Sequence, residues 1–201
     1  TGTEAEEIYA RSMMSYLTHP LVRCAVLLEH GCEKTHNDYF RGQLAARGLA
    51  AADYGWASVQ LDGGIDKVCA IVTEWFGVHL DGLAPVVEQS AGLDALRVGL
   101  AAVGPLDDAA AVAMARLTRW LVGAGAMVVI PERGMLLDSE VFVGATFKHG
   151  RPGATLAHGQ APAASGCHVL ETPTDHWTEI ITGLGAAGVE IILAHVGEHP
   201  M

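Results

Sequence analysis

The chain has 201 residues, half of them hydrophobic, with 24 glycines and a formal net charge of −11. That length carries one sizeable α/β domain or two small ones. The acidic balance repels phosphate backbones and argues against nucleic acid as a partner, while no apolar run approaches the length of a membrane span. The acidic, polar start TGTEAEEIYARSM does not fit a signal peptide. Cys24, Cys32, Cys69 and Cys167 contain no C-x-x-C pair, so thiols in a reducing cytoplasm are the expected state. The chain begins on Thr1 and stops after GEHPM, which reads as a piece of a longer protein.

Glu4 to Leu17 is amphipathic and predicts a helix, ended by His19-Pro20 because the residue before proline avoids helical backbone. Leu21 to Glu29 is an apolar run bounded by turn residues, a buried strand. Lys34 to Arg47 reads as a helix closed by Gly48, and Tyr54 to Leu61 as a second strand. After the Asp62-Gly63-Gly64 turn, Ile65 to Phe76 predicts a helix with Ile65, Val68, Cys69, Val72 and Trp75/Phe76 on one face. Leu96 to Val103 is a third strand. Asp107-Asp108 starts a helix to about Val122, with acids at its positive end, and Met127 to Ile130 is a fourth strand. Pro131 to Gly159 is the least periodic stretch and reads as a loose segment. Gly166 to Glu171, Pro173 to Ala187 and Val189 to Ala194 then give strand, helix and strand. Strands alternating with helices imply an α/β fold: a mostly parallel sheet with helices on both faces, in Rossmann-like layers. The expectation is a single domain over 1–201, loose at 131–159. Ligands in such folds sit outside the carboxyl ends of strands, so the strand-to-helix junctions are the places to search.

The first junction, LEHGCEKTHND, crowds His30, Cys32, Glu33, His36 and Asp38 after Gly31. A helix starting near Cys32 puts Cys32 and His36, four apart, on one face. Together with His30 they are a candidate metal set, with Glu33 and Asp38 as added oxygen ligands or a base. The competing reading is a solvated polar loop. The second junction is CHVLETPTDHW. Thr172 as N-cap, Pro173 at N1 and Asp175 at N3 make a capping-box-like start. Glu171 and His176 remain as a carboxylate and an imidazole beside a helix end able to bind a substrate carboxylate. The third, QLDGGIDK, offers a tight turn at Gly63 and Gly64 where backbone approaches a ligand, with Lys67 able to hold a carboxylate or stand exposed. GLGAAG, Gly183 to Gly188, matches a dinucleotide fingerprint in letters but follows a helix and precedes a strand, the reverse of the required context. His149 and His158 read as solvated.

Three segments together resemble the altronate/galactarate dehydratase family of sugar-acid hydro-lyases, in its C-terminal catalytic region. They are the apolar strand ending in Gly31-Cys32-Glu33, then Gln60 with Gly63-Gly64 and Lys67, and then ETPTDHWTEIITGLGAAGVEIIL from Glu171. In order, they cover most of the chain. The resemblance implies a cytoplasmic enzyme that uses Fe2+ or another divalent metal to remove water from a hexonate or aldarate, giving a 2-keto-3-deoxy acid. It implies Cys32, then His36 and His30, as metal ligands. Glu33 or His176 would then be the acid/base, and Lys67 and the Thr172–Asp175 helix start would hold the substrate carboxylate. The expected macromolecular partner is an N-terminal domain outside this chain or a second copy of it. Where the family usually carries Lys-Cys-Gly-Gly-Ser-Asp after the third strand, this chain has Ala101-Ala102-Val103-Gly104-Pro105-Leu106, with Asp107 one residue out of step. That departure supports a second expectation, a non-catalytic binding or assembly member of the family.

Overall fold

A computed structural model describes residues 3–197. The fold is α/β, and every strand pairing in it is parallel. Where the sequence reading has a single domain, the contacts cluster into two compact units. The first is Thr1–Glu6 with Leu21–Gln89, the second Glu7–Pro20 with Ser90–Met201. Helix α1 (Glu4–Leu17) begins in the first and runs on in the second.

The first unit is one β-α-β-α succession: β1 (Val26–Glu29), α2 (Asn37–Ala46), β2 (Gly55–Ser58) and α3 (Ile65–Asp81). β1 and β2 pair in register Val26↔Gly55 to Glu29↔Ser58. Gly55 is required there, because a Cβ would fall 2.6 Å from Val26 Cγ2 and 2.8 Å from the Trp75 ring. Both strands are shorter than the apolar runs predict, and α2 starts at Asn37 rather than near Lys34 or Cys32. Helix α3 departs further from expectation. Of its predicted inner face only Val68 is buried, while Ile65 and Cys69 are exposed. A two-stranded sheet is too narrow to cover a helix whose apolar arc is this wide.

The second unit holds β3 (Arg97–Val103), α4 (Asp108–Gly123), β4 (Met127–Pro131), α5 (Met135–Asp138), α6 (Glu140–Thr146), β5 (Gly166–Leu170), α7 (Trp177–Ala186) and β6 (Ile191–Val196). Its sheet has the order β5-β4-β3-β6. The chain thus winds outward from β3 through β4 to β5, then crosses back to lie on the far side of β3, the doubly wound pattern. Period-two alternation sorts the side chains onto two faces. Val98, Leu100, Ala102, Val128, Ile130 and Val169 pack with α4, α5 and α6. Ala101, Val129 and Leu170 pack with Ile180, Leu184 and Ala187 of α7 and its exit. The segment read as loose contains α5 and α6, and its Phe142, Leu136 and Leu137 are among the most deeply buried side chains. His158, expected in solvent, is buried under α7. Its Nδ1 donates to Glu171 O at 3.2 Å, and a Cβ on Gly183 would fall 2.6 Å from its Cε1.

Candidate functional site

In the first unit, the turn after β1 and the turn after β2 adjoin, which joins two of the three predicted junctions. Gln60 N donates to His30 O at 3.1 Å, and a Cβ at Gly31 (φ 115°) would fall 2.9 Å from Gln60 Oε1. Only a glycine lets the chain leave β1 in this way. Within the turn, the Glu33 carboxylate accepts from the amides of His30 (2.6 Å), Gly31 (2.8 Å) and Cys32 (3.1 Å). These bonds, that from Gly31 first and then that from His30, hold its carboxyl down at about 2. These amides favour the ionised carboxylate, so Glu33 serves to hold the turn together.

The predicted metal set changes for the same reason. Residues 31–36 are not helical, so Cys32 and His36 share no helix face. His30 Nδ1 does lie 3.2 Å from Cys32 Sγ, with both side chains exposed. His36 instead stands at the N-cap of α2. Among the described residues no three His, Cys, Asp or Glu side chains converge in a way that would hold a metal. His30 Nδ1 and Cys32 Sγ are the two donors of the predicted set that lie together in this turn. Lys67 folds over Gly63, its Nζ 3.0 Å from where a Gly63 Cβ would sit, and Gly64 (φ 98°) is the N-cap of α3.

Glu33 fixes the acid response of this turn. A carboxyl whose value is lowered from 4.5 to about 2 on folding stabilises the fold fully above 4.5 and loses that contribution as the pH falls toward 2. Acid titration followed by amide NMR is expected to show the Gly31 and Cys32 signals following the Glu33 carboxyl near pH 2 rather than near 4.5. In Glu33→Gln those signals are expected to be displaced from wild type and to show no such acid transition.

In the second unit, the switch point of the sheet, between the carboxyl ends of β3 and β6, is bridged by the chain itself. His195 Nε2 donates to Pro105 O at 3.1 Å, and Gly197 N to Val103 O at 2.8 Å. A cleft of about 740 Å³ opens instead beyond β4 and β5, lined by Glu132, Arg133, Gly134, Asp138, Arg151, Pro152, Gly153, Pro173, Thr174 and Asp175. That volume lies in the range of small-molecule sites. Arg151 Nη1 donates to Asp138 Oδ1 at 2.7 Å and its Nη2 to Glu132 O at 3.0 Å. The Arg133 guanidinium has no ion pair or hydrogen bond among the described residues.

The expected capping box does not form: helix α7 starts at Trp177 with His176 at its N-cap, not at Pro173. Thr174 braces the turn that leads into the helix: its Oγ1 accepts from His176 N at 3.1 Å, and its N and Oγ1 donate to the Glu179 carboxylate at 3.0 and 2.8 Å. Thr172, expected to bind substrate, is 1 % exposed, and its Oγ1 accepts from Arg133 N at 2.9 Å. It fixes the position of Arg133 rather than touching a ligand. Glu171 is exposed and tied through its backbone to Leu156 O at 2.8 Å. Asp175 lines the cleft, whereas His176, the next residue, is exposed and is not among the lining residues.

Thr172→Val keeps the volume but leaves the Arg133 amide without its acceptor. A stability loss of about 1–3 kcal/mol is expected, read by urea unfolding, with Thr172→Ser near wild type.

Arg133, Arg151, Glu132 and Asp138 all fall in the stretch read as a loose loop. The one available clue was the position of PERG, directly after the fourth strand. The Cys167 thiol, pushed up to about 12 by burial, is inert at neutral pH. No helix among the described residues is long and apolar enough to cross a membrane. No family model matches the chain, and no curated protein matches it.

Proposed function

We propose that the chain acts on a sugar acid in the manner of the altronate/galactarate dehydratases it resembles, in the cytoplasm, and that the second unit's cleft receives the acid. The observation that carries the reading is the unpaired Arg133 guanidinium. It lies at the carboxyl edge of a parallel sheet, in a cleft that also holds the carboxylates of Glu132 and Asp175. A guanidinium fork takes a carboxylate in two parallel hydrogen bonds, and carboxylates accept from sugar hydroxyls.

Dehydration removes the proton from the carbon bearing the carboxylate, and the neighbouring hydroxyl leaves as water after gaining a proton. The enol that remains becomes the 2-keto-3-deoxy acid. Arg133 would stabilise the negative charge that spreads onto the carboxylate as the proton departs. His176, next to Asp175, is the group this reading assigns to proton transfer. The second reading, a binding member without turnover, is favoured by the strand end at Ala101–Leu106. There two alanines are buried, and no side chain offers a thiol, hydroxyl or acid.

One experiment addresses both. The anaerobically purified chain is incubated with a panel of hexonates and aldarates, binding is measured by calorimetry, and 2-keto acid is assayed. Binding with 2-keto-3-deoxy acid formation, lost in His176→Ala, is the expected result. Binding without product selects the second reading, and no binding to any acid rejects both.

A further inference from the structure

The ionic groups of the second unit's cleft are unevenly committed. Of its two guanidiniums, Arg151 is held at both ends by Asp138 and the Glu132 carbonyl. Only Arg133 is free of partners among the described residues. Of its three carboxylates, Asp138 is paired, while those of Glu132 and Asp175 have no cation within ion-pair distance among the described residues. The Thr174 hydroxyl is spent on His176 N and Glu179. The cleft therefore presents one open site for a carboxylate and two open acceptors for hydroxyl donors.

From this inventory we infer that the ligand is a monocarboxylic polyhydroxy acid, an aldonate, and that the cleft rejects the corresponding dicarboxylate. The inference rests on the proposed placement of the sugar acid in this cleft. An aldonate puts its carboxylate on Arg133 and its hydroxyls against Glu132 and Asp175. An aldarate of the same stereochemistry replaces the terminal hydroxymethyl group with a second carboxylate. That group has no free cation to meet and stands among carboxylates of its own sign. Discrimination of this kind comes from the repulsive element as much as from the attractive one.

The test is calorimetry on the full chain at neutral pH and low salt with matched pairs, gluconate against glucarate and galactonate against galactarate. The aldonate of at least one pair is expected to bind about tenfold or more tightly than its aldarate. Asp175→Asn, an exposed substitution, is expected to shrink that ratio about three- to tenfold by raising aldarate affinity. Equal or tighter aldarate binding overturns the inference while leaving the sugar-acid reading in place. A ratio unchanged in both Asp175→Asn and the Glu132→Gln/Asp175→Asn double variant also overturns it, because the discrimination then arises elsewhere. Failure of every acid to bind overturns the placement itself.

Discussion

Arg133→Gln is expected to weaken aldonate binding about ten- to 150-fold with the fold intact. Charge-assisted hydrogen bonds to a carboxylate are worth about 1.5–3 kcal/mol, and each 1.4 kcal/mol is about tenfold in affinity. Arg133 is exposed and its guanidinium has no partner among the described residues, so its loss removes no structural bond. Its backbone amide still donates to Thr172 Oγ1, which keeps the turn in place. Thermal stability should therefore stay within about 0.5 kcal/mol of wild type. Arg133→Lys retains the charge but not the planar fork and should fall between the two. Calorimetry gives the affinities and circular dichroism the melting curves. Undiminished binding by the glutamine variant would remove the anchor on which the proposed site depends.

Strands β3, β4, β5 and β6 and helices α4 and α7 are legible because each is a long apolar run or a clean 3.6-residue pattern ended by a glycine or started by an acid. Asp107 does cap α4, accepting from Ala110 N at 2.7 Å. The segment between β4 and β5 was not legible because α5 and α6 have only four and seven residues, too short for periodicity to register. The glycine and proline content of the chain that follows them then dominated the reading. The first junction shows a related limit. His30–Asp38 is rich in ligand-type side chains, yet Glu33 gathers three backbone amides, Asp38 pairs with Arg41, and the buried Glu29 just before the stretch accepts from Asn37 N at the start of α2. At the end of β2, Asp62 takes Ser58 N at 2.7 Å. A sequence shows which side chains are crowded together but not which backbone amides they already satisfy, whereas the Arg133 guanidinium is informative because it has no partner among the described residues.

Phe142→Ala is expected to cost about 3–5 kcal/mol, a large share of the roughly 5–15 kcal/mol that stabilises a typical domain. Phe142 is 0 % exposed and belongs to the cluster that joins α4, α5 and α6 to β3, β4 and β5. Its ring meets Phe147 edge-on at 6.3 Å between centroids. Removing it leaves a cavity that α6, a helix of seven residues, can close only by leaving the sheet, so the transfer and cavity costs add. Phe142→Leu retains most of the volume and should cost less than half as much. Urea unfolding gives the free energies. Limited proteolysis across residues 147–155 reads the local consequence, since that stretch leaves α6 and carries Arg151 into the cleft, and cleavage there should accelerate in the alanine variant before global unfolding. A change below about 1 kcal/mol would mean that α6 is not docked as described, and the wall of the cleft that includes Asp138 and Arg151 would lose its support with it.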